Sequence, residues 1–174
     1  MARSSRRVTL RVAFVLRTGI LRIGFLWPQQ RETPMNSRPR FHLAFPVNDL
    51  AEARAFYTGL LGCPEGRASD DWVDFDFFGH QIVAHLSPNE AGHKAHNLVD
   101  GDEVPVRHFG AILPMSDWRA LADRLKQKNV RFLIAPDIRF EGEPGEQATF
   151  FVSDPSGNAL EFKAFDDDSR IFAK

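Results

Sequence analysis

The chain has 174 residues, 43% of them apolar with 16 Phe, and a formal net charge of -1. That is enough apolar material for one domain, or for two small halves sharing a core, and it excludes a disordered composition. The near-neutral balance implies no nucleic-acid and no membrane partner, and the single Cys63 excludes an internal disulfide and fits a reducing cytoplasm.

Charge is unevenly spread along the chain. Residues 1–34 hold seven Arg and one acid, Glu32, a net +6 that leaves -7 for the rest. The apolar run Val8 to Trp27 is interrupted by Arg11, Arg17 and Arg22. A membrane-spanning helix would bear ~2.5–3.5 kcal/mol for each central Arg, and a secretory signal needs an uninterrupted apolar core. An Arg-rich, acid-poor head suits an organelle transit peptide. The simpler expectation is that translation begins at Met35 and that the head is upstream sequence. Residues 1–38 are therefore expected to be a disordered or at most loosely helical extension, or to lie outside the native protein.

The first structured stretch opens with a strand, Arg40–Pro46. Asp49, with Glu52 three positions later, is a capping-box arrangement for a helix over Leu50–Leu61. Ala53, Phe56, Tyr57 and Leu60 form its apolar face, and Gly62 supplies the stop. Strands follow near Glu65–Ala68, Trp72–Phe78 and Gln81–Leu86, the last two a hairpin turning at Gly79-His80. Ser87–Pro105, rich in Asn, Asp, Gly and His, reads as a linker or lid.

The same succession then repeats. A strand over Val106–Leu113 leads to a helix capped by Ser116 and running to about Lys128, with Trp118, Leu121, Ala122 and Leu125 on its apolar face and Asn129 at its end. Strands are expected near Arg131–Ile134, Gln147–Ser153 and Ala159–Phe165. Asp137–Glu146 is a charged, Gly-containing loop of the kind that borders sites. Asp154-Pro155-Ser156-Gly157 is a strong turn signal. The fold class is thus α+β: two βαβββ modules, about 39–88 and about 105–166, forming a mixed, curved sheet around a cleft with helices outside and a short tail over 167–174.

Alternation assigns the faces. Side chains of a strand point to opposite sides with period two. Phe41, Leu43 and Phe45 share one face of the first strand, and His42 and Ala44 the other. Leu160 and Phe162 share one face of the last, and Glu161 and Lys163 the other. The apolar faces suit the helices, so His42, His85, His108 and Glu161 are left to line the cleft. A lone strand histidine is more often a hydrogen-bonded structural residue than a ligand. Two His and one Glu at matching places of a repeat shift the reading to metal, because this is the ligand set of the facial triad that holds Fe(II) with open positions.

The runs His42-Leu43-Ala44-Phe45-Pro46-Val47-Asn48-Asp49-Leu50, Phe56-Tyr57, Leu60-Leu61-Gly62 and Asp154-Pro155-Ser156-Gly157-Asn158-Ala159-Leu160-Glu161 carry a family resemblance. From about Pro39 to Phe165 the chain resembles the vicinal oxygen chelate superfamily of glyoxalase I, bleomycin-resistance proteins and extradiol dioxygenases. The stretches Phe77–Leu86 and Phe140–Ala148 look like a bacterial branch of predicted extradiol-type dioxygenases. The resemblance implies a sheet wrapped around a divalent metal, Fe(II) favoured over Mn, Zn or Ni. It implies His42, His108 and Glu161 as ligands, and His85 as an acid–base catalyst or a fourth ligand. Where extradiol enzymes commonly carry a Tyr ahead of the ligand Glu, this chain has Phe151.

The implied activity is that of an oxidoreductase cleaving a small catechol-like substrate with two neighbouring oxygens. A glyoxalase I-like isomerase and a metal-free protein sequestering a flat drug are the alternatives. Pairing of the two modules within one chain is expected, with a homodimer the other arrangement. His80, His93 and His96 read as solvated, Cys63 as a small buried residue, and Asp70-Asp71 and Asp166-Asp167-Asp168 as solvated charge runs.

Overall fold

Two four-stranded sheets realise the repeat. In this computed structural model residues 39–92, 95–99 and 101–172 are described, so the expectations for the head and for His93 lie outside the described residues. The elements are β1 (His42–Val47), α1 (Leu50–Arg54), β2 (Glu65–Ala68), β3 (Trp72–Phe77), β4 (His80–Leu86), β5 (His96–Val99), β6 (Asp102–Pro105), β7 (His108–Ile112), α2 (Met115–Gln127), β8 (Phe132–Arg139), β9 (Gln147–Ser153) and β10 (Ala159–Ala164). The first sheet has the order β1-β4-β3-β2, the second β7-β10-β9-β8, and β5 pairs with β6 alone. In each module the first and last strands run parallel, side by side. This is the expected α+β pair of βαβββ modules.

The aromatic content builds the core. Tyr57 from the first helix stacks on Phe75 at 5.0 Å, and Trp118 from α2 meets Phe150 at 5.4 Å. Phe45 of β1 and Phe109 of β7 lie 5.1 Å apart, and Phe77 reaches both Phe109 and Phe162 at 6.0 Å. The two modules therefore share one interior. Each such buried side chain contributes about 1.5–3 kcal/mol of apolar transfer. The turn after β9 ties the modules together by polar bonds. Asn158 Nδ2 donates to the Pro46 carbonyl at 2.9 Å, and Asn48 N–H donates to Ser156 Oγ at 2.9 Å. Tyr57 OH donates to Asp154 Oδ2 at 3.0 Å. Burial pushes the Asp154 carboxyl above its ordinary value in spite of these and neighbouring donors.

Four local expectations are corrected. The first helix is α only through Arg54 and continues as a π-helix over Ala55–Leu60. Its wider winding, seen in the Leu61 N–H to Phe56 O bond, accommodates the burial of adjacent Phe56 and Tyr57. Ser116 does not cap α2. Pro114 stands at the N-cap, its carbonyl accepting from Asp117 and Trp118, while Ser116 Oγ donates to Asp117. β8 runs five residues beyond Ile134, past Pro136, because it is the outer strand, where a missing N–H costs no ladder bond. The supposed linker contains the β5–β6 hairpin, whose Val104 packs with Ile134 on Phe151.

The β3–β4 hairpin turns at Phe78 and Gly79, both with positive φ (52° and 89°). That is the pair of conformations a tight two-residue hairpin requires. Cys63 is buried, and burial pushes its thiol up to about 12, in keeping with a packing role.

Candidate metal centre

β10 carries Glu161 between buried Leu160 and Phe162, so the carboxylate faces away from the helices as alternation requires. Its cross-strand partners are Gly110 on β7 and Phe151 on β9. Gly110 matters here. A Cβ at that position would overlap the Glu161 carbonyl oxygen, so only glycine permits this approach of β7 to β10. The approach brings His108 Nε2 within 3.2 Å of Glu161 Oε2. The two line a depression of about 270 Å³ with Gly110, Ala111, Ile112 and Lys163.

The hydrogen bonds around the pair define its chemistry. His108 Nδ1 lies 2.5 Å from the Pro105 carbonyl, which can only accept, so Nδ1 carries the proton. Glu161 Oε1 accepts from Thr149 Oγ1 at 2.8 Å and stands 3.4 Å from Lys163 Nζ. One carboxylate oxygen is thus held, and the other points at a ring nitrogen. Two lone pairs facing each other at 3.2 Å need a positive charge between them, supplied by a proton or by a metal ion. The bond to Glu161 raises the His108 value above its usual range, overcoming burial. Burial alone would raise the Glu161 carboxyl, but His108, Lys163 and Thr149 outweigh it and hold it low. Adjacent ligands about 2.1 Å from one ion and at right angles stand about 3 Å apart. The spacing and the donor types therefore fit two neighbouring ligands of one divalent metal. The Nδ1–H bond to a carbonyl is the usual second interaction of a ligating histidine.

Phe151 lies edge-on to the His108 ring at 5.2 Å. Where a Tyr would offer a hydroxyl, this wall is apolar.

The other two expected site residues lie apart from this pair. His42 opens β1 on the first sheet, opposite Gln81 of β4, whose Oε1 is 2.8 Å from His42 Nδ1. His85 is exposed and lies opposite Pro46. Four residues of strand separate it from Gln81, about 13 Å at the usual rise. Among the described residues no three His, Cys, Asp or Glu side chains are grouped so that they could hold an ion. The structure joins His108 with Glu161, whereas His42 lies on the first sheet, bonded to Gln81. His80, expected to be solvated, is exposed, and its Nδ1 accepts the Phe41 N–H at 3.1 Å.

Sequence reasoning gave no site role to Thr149, Lys163, Asp74 or Gln81. Two of these carried a usable signal. Lys163 falls on the Glu161 face by period two, and Asp74 alternates with Val73 and Phe75 in the same way, whereas Thr149 reaches Glu161 only through the pairing of β9 with β10.

A family model for the Glyoxalase/Bleomycin resistance protein/Dioxygenase superfamily matches residues 41–162. The chain belongs to this superfamily. A solved glyoxalase/bleomycin resistance protein/dioxygenase from Alicyclobacillus acidocaldarius is 38% identical, with 77% of this chain and 96% of that one covered and a TM-score of 0.66. The fosfomycin resistance protein FosX from Listeria monocytogenes shares the fold at 16% identity, covering 78% of this chain and 99% of its own, with a TM-score of 0.57. A lactoylglutathione lyase from Agrobacterium tumefaciens does so at 17% identity, covering 74% and 94%, with a TM-score of 0.53. None of the curated proteins matches this sequence. Among the described residues no helix is long and apolar enough to cross a membrane.

Proposed function

We propose that this superfamily member is a divalent-metal enzyme acting on a small substrate with two neighbouring oxygens, its metal held by His108, Glu161 and His42. The observation that carries the reading is the His108–Glu161 pair, two ligand-type atoms 3.2 Å apart, each with its other polar atom already engaged. A metal held there would act as a Lewis acid and template for the two substrate oxygens. Two imidazoles and one carboxylate favour Fe(II), and with it an oxidoreductase of the extradiol ring-cleaving type. The residues of the chain do the rest. Pro105 keeps the His108 Nε2 lone pair directed at the site. Thr149 and Lys163 keep Glu161 ionised and oriented. Ile112 provides apolar surface beside it, and buried Phe151 backs the His108 ring. His85 would serve as the acid–base group of such a reaction.

Two observations favour a second reading, Lewis-acid isomerisation or addition without oxygen chemistry. Phe151 has no hydroxyl to offer a bound substrate, and His85 sits far along β4 from the His42 row. The Agrobacterium and Listeria proteins named above are a lyase and a resistance protein on the same fold.

Elemental analysis of anaerobically purified protein, followed by oxygen uptake with a panel of catechols, separates the readings. The dioxygenase reading expects bound iron and oxygen consumption that is lost in His108→Ala. Iron-loaded protein that binds catechols and never consumes oxygen would overturn it. Isomerase activity on a thiol–aldehyde adduct would establish the second reading, and metal-free protein that binds aromatic drugs with unchanged affinity in His108→Ala would overturn both.

A further inference from the structure

On the first sheet His42, Gln81 and Asp74 form a hydrogen-bonded chain on the face opposite the helices. His42 Nδ1 lies 2.8 Å from Gln81 Oε1, and Gln81 Nε2 donates to Asp74 Oδ2 at 3.0 Å. Asp74 also accepts from Arg67 at 3.3 Å. The Asp74 side chain is only 9% exposed, whereas Arg67 is 78% exposed. The chain lines a cavity of about 380 Å³ together with Gly66, Asp76 and His80.

Donor and acceptor chemistry gives this chain a direction. Asp74, paired with a guanidinium, is an acceptor only. The amide nitrogen of Gln81 must therefore face it, which turns the amide oxygen to His42. That oxygen also only accepts, so the His42 proton must sit on Nδ1 and the Nε2 lone pair is free. His108 reaches the same state by different means, through the Pro105 carbonyl. Both histidines that open a module thus have Nδ1 engaged by an oxygen, and the His108 Nε2 faces Glu161 while no hydrogen bond among the described residues engages the His42 Nε2.

We infer that Gln81 and Asp74 are positioning residues that lock His42 as its Nδ1–H tautomer, presenting Nε2 as a ligand. The ligand role rests on the functional reading above, and the tautomer does not. Asp74 never touches His42. Its influence passes through the amide, whose orientation it sets. Gly66 leaves the room that Asp74 needs, since a Cβ there would lie 3.2 Å from Asp74 Cβ.

The test is long-range ¹H–¹⁵N NMR of histidine-labelled full-length protein without metal, above the imidazole titration, together with Co(II) titration. Wild-type His42 is expected as the Nδ1–H tautomer. Gln81→Met keeps the length of the side chain and removes the acceptor, so the Nε2–H form should appear and Co(II) affinity should fall roughly 10–100-fold. Asp74→Asn should also admit the Nε2–H form, because the Gln81 amide can then flip. The exchanged pair D74N/Q81E restores the polarity. Its amide, now on β3, donates to its carboxylate, now on β4, and that carboxylate accepts from His42, so the Nδ1–H tautomer should be recovered. The chemical shifts of residues in the second module report whether each variant is folded. A wild-type Nε2–H tautomer, an unchanged tautomer in folded Gln81→Met, or no recovery in a folded D74N/Q81E protein would overturn the chain. A correct tautomer with unchanged Co(II) affinity in Gln81→Met would overturn its positioning role. Undiminished Co(II) binding in His42→Ala would instead remove His42 from the metal site.

Discussion

Val83 on β4 occupies the place in the first module that Glu161 occupies on β10 in the second. Val83 stands opposite Ala44 and Glu161 opposite Gly110, each two residues beyond the histidine that opens its module. His85 then corresponds to Lys163, one step further along the same face. At the opening-histidine and Val83/Glu161 positions, the first module therefore offers one ligand-type residue and the second two. Replacing Glu161 by Gln should lower Co(II) affinity by ~100-fold or more, beyond the effect of losing an outer partner. His85→Ala should cost less than the roughly 10-fold that losing even an outer partner of a ligand costs. Equal losses in the two variants, read from Co(II) absorption titrations, would show that the register does not govern the site.

Thr149 is fully buried, and its hydroxyl donates to Glu161 Oε1. Thr149→Val keeps the shape and removes the donor. The fold should lose about 1 kcal/mol, while metal affinity should fall roughly tenfold because the carboxylate is freed to turn. Urea denaturation and metal titration on the same preparation check both. A stability loss with unaltered affinity would make Thr149 a packing residue only.

Gly110→Ala should be far more damaging than its single methyl suggests. The added carbon meets backbone, the Glu161 carbonyl, and cannot be accommodated by rotating a side chain. Overpacking of this kind costs about 1–3 kcal/mol, or roughly 3–10 °C in Tm for a chain of this size. Gly59→Ala is the control, because nothing lies within 4 Å of a Cβ there. Similar melting temperatures for the two variants would contradict the close approach of β7 and β10.

The His108–Glu161 pair makes stability depend on pH in a defined direction. His108 has a raised value in the fold, so its contribution is complete below the unfolded imidazole value, about 6.5, and is lost as pH rises through the folded one. Glu161 has a lowered value, so its contribution is present above the unfolded carboxyl value and is lost as pH falls through the folded one. With chelator present, His108→Gln should destabilise the chain more at about pH 5.5 than at about pH 8.5. Urea midpoints at the two pH values read the difference, and equal destabilisation at both would contradict the pairing.

Much of this architecture was legible from period-two alternation. Leu160 and Phe162 are fully buried and Glu161 faces the other way, as the alternation of apolar and polar residues requires. What alternation cannot supply is cross-strand register. Gln81 looks like an ordinary polar strand residue until the parallel pairing of β1 with β4 sets it opposite His42. The same pairing sets His85 opposite Pro46, further along that face from His42. The β5–β6 hairpin was hidden for another reason. Its composition is that of a loop, and its hold on the second sheet comes from Val104 on Phe151 and from the ion pair of Asp102 with buried Arg139.

The most direct test of the metal assignment is anaerobic Fe(II) titration of the full-length chain beside its His108→Ala and Glu161→Ala variants. One ion per chain in the wild type, with binding lost in both variants, is the predicted result. Fe(II) binding that survives in either variant, or none in the wild type, would contradict it.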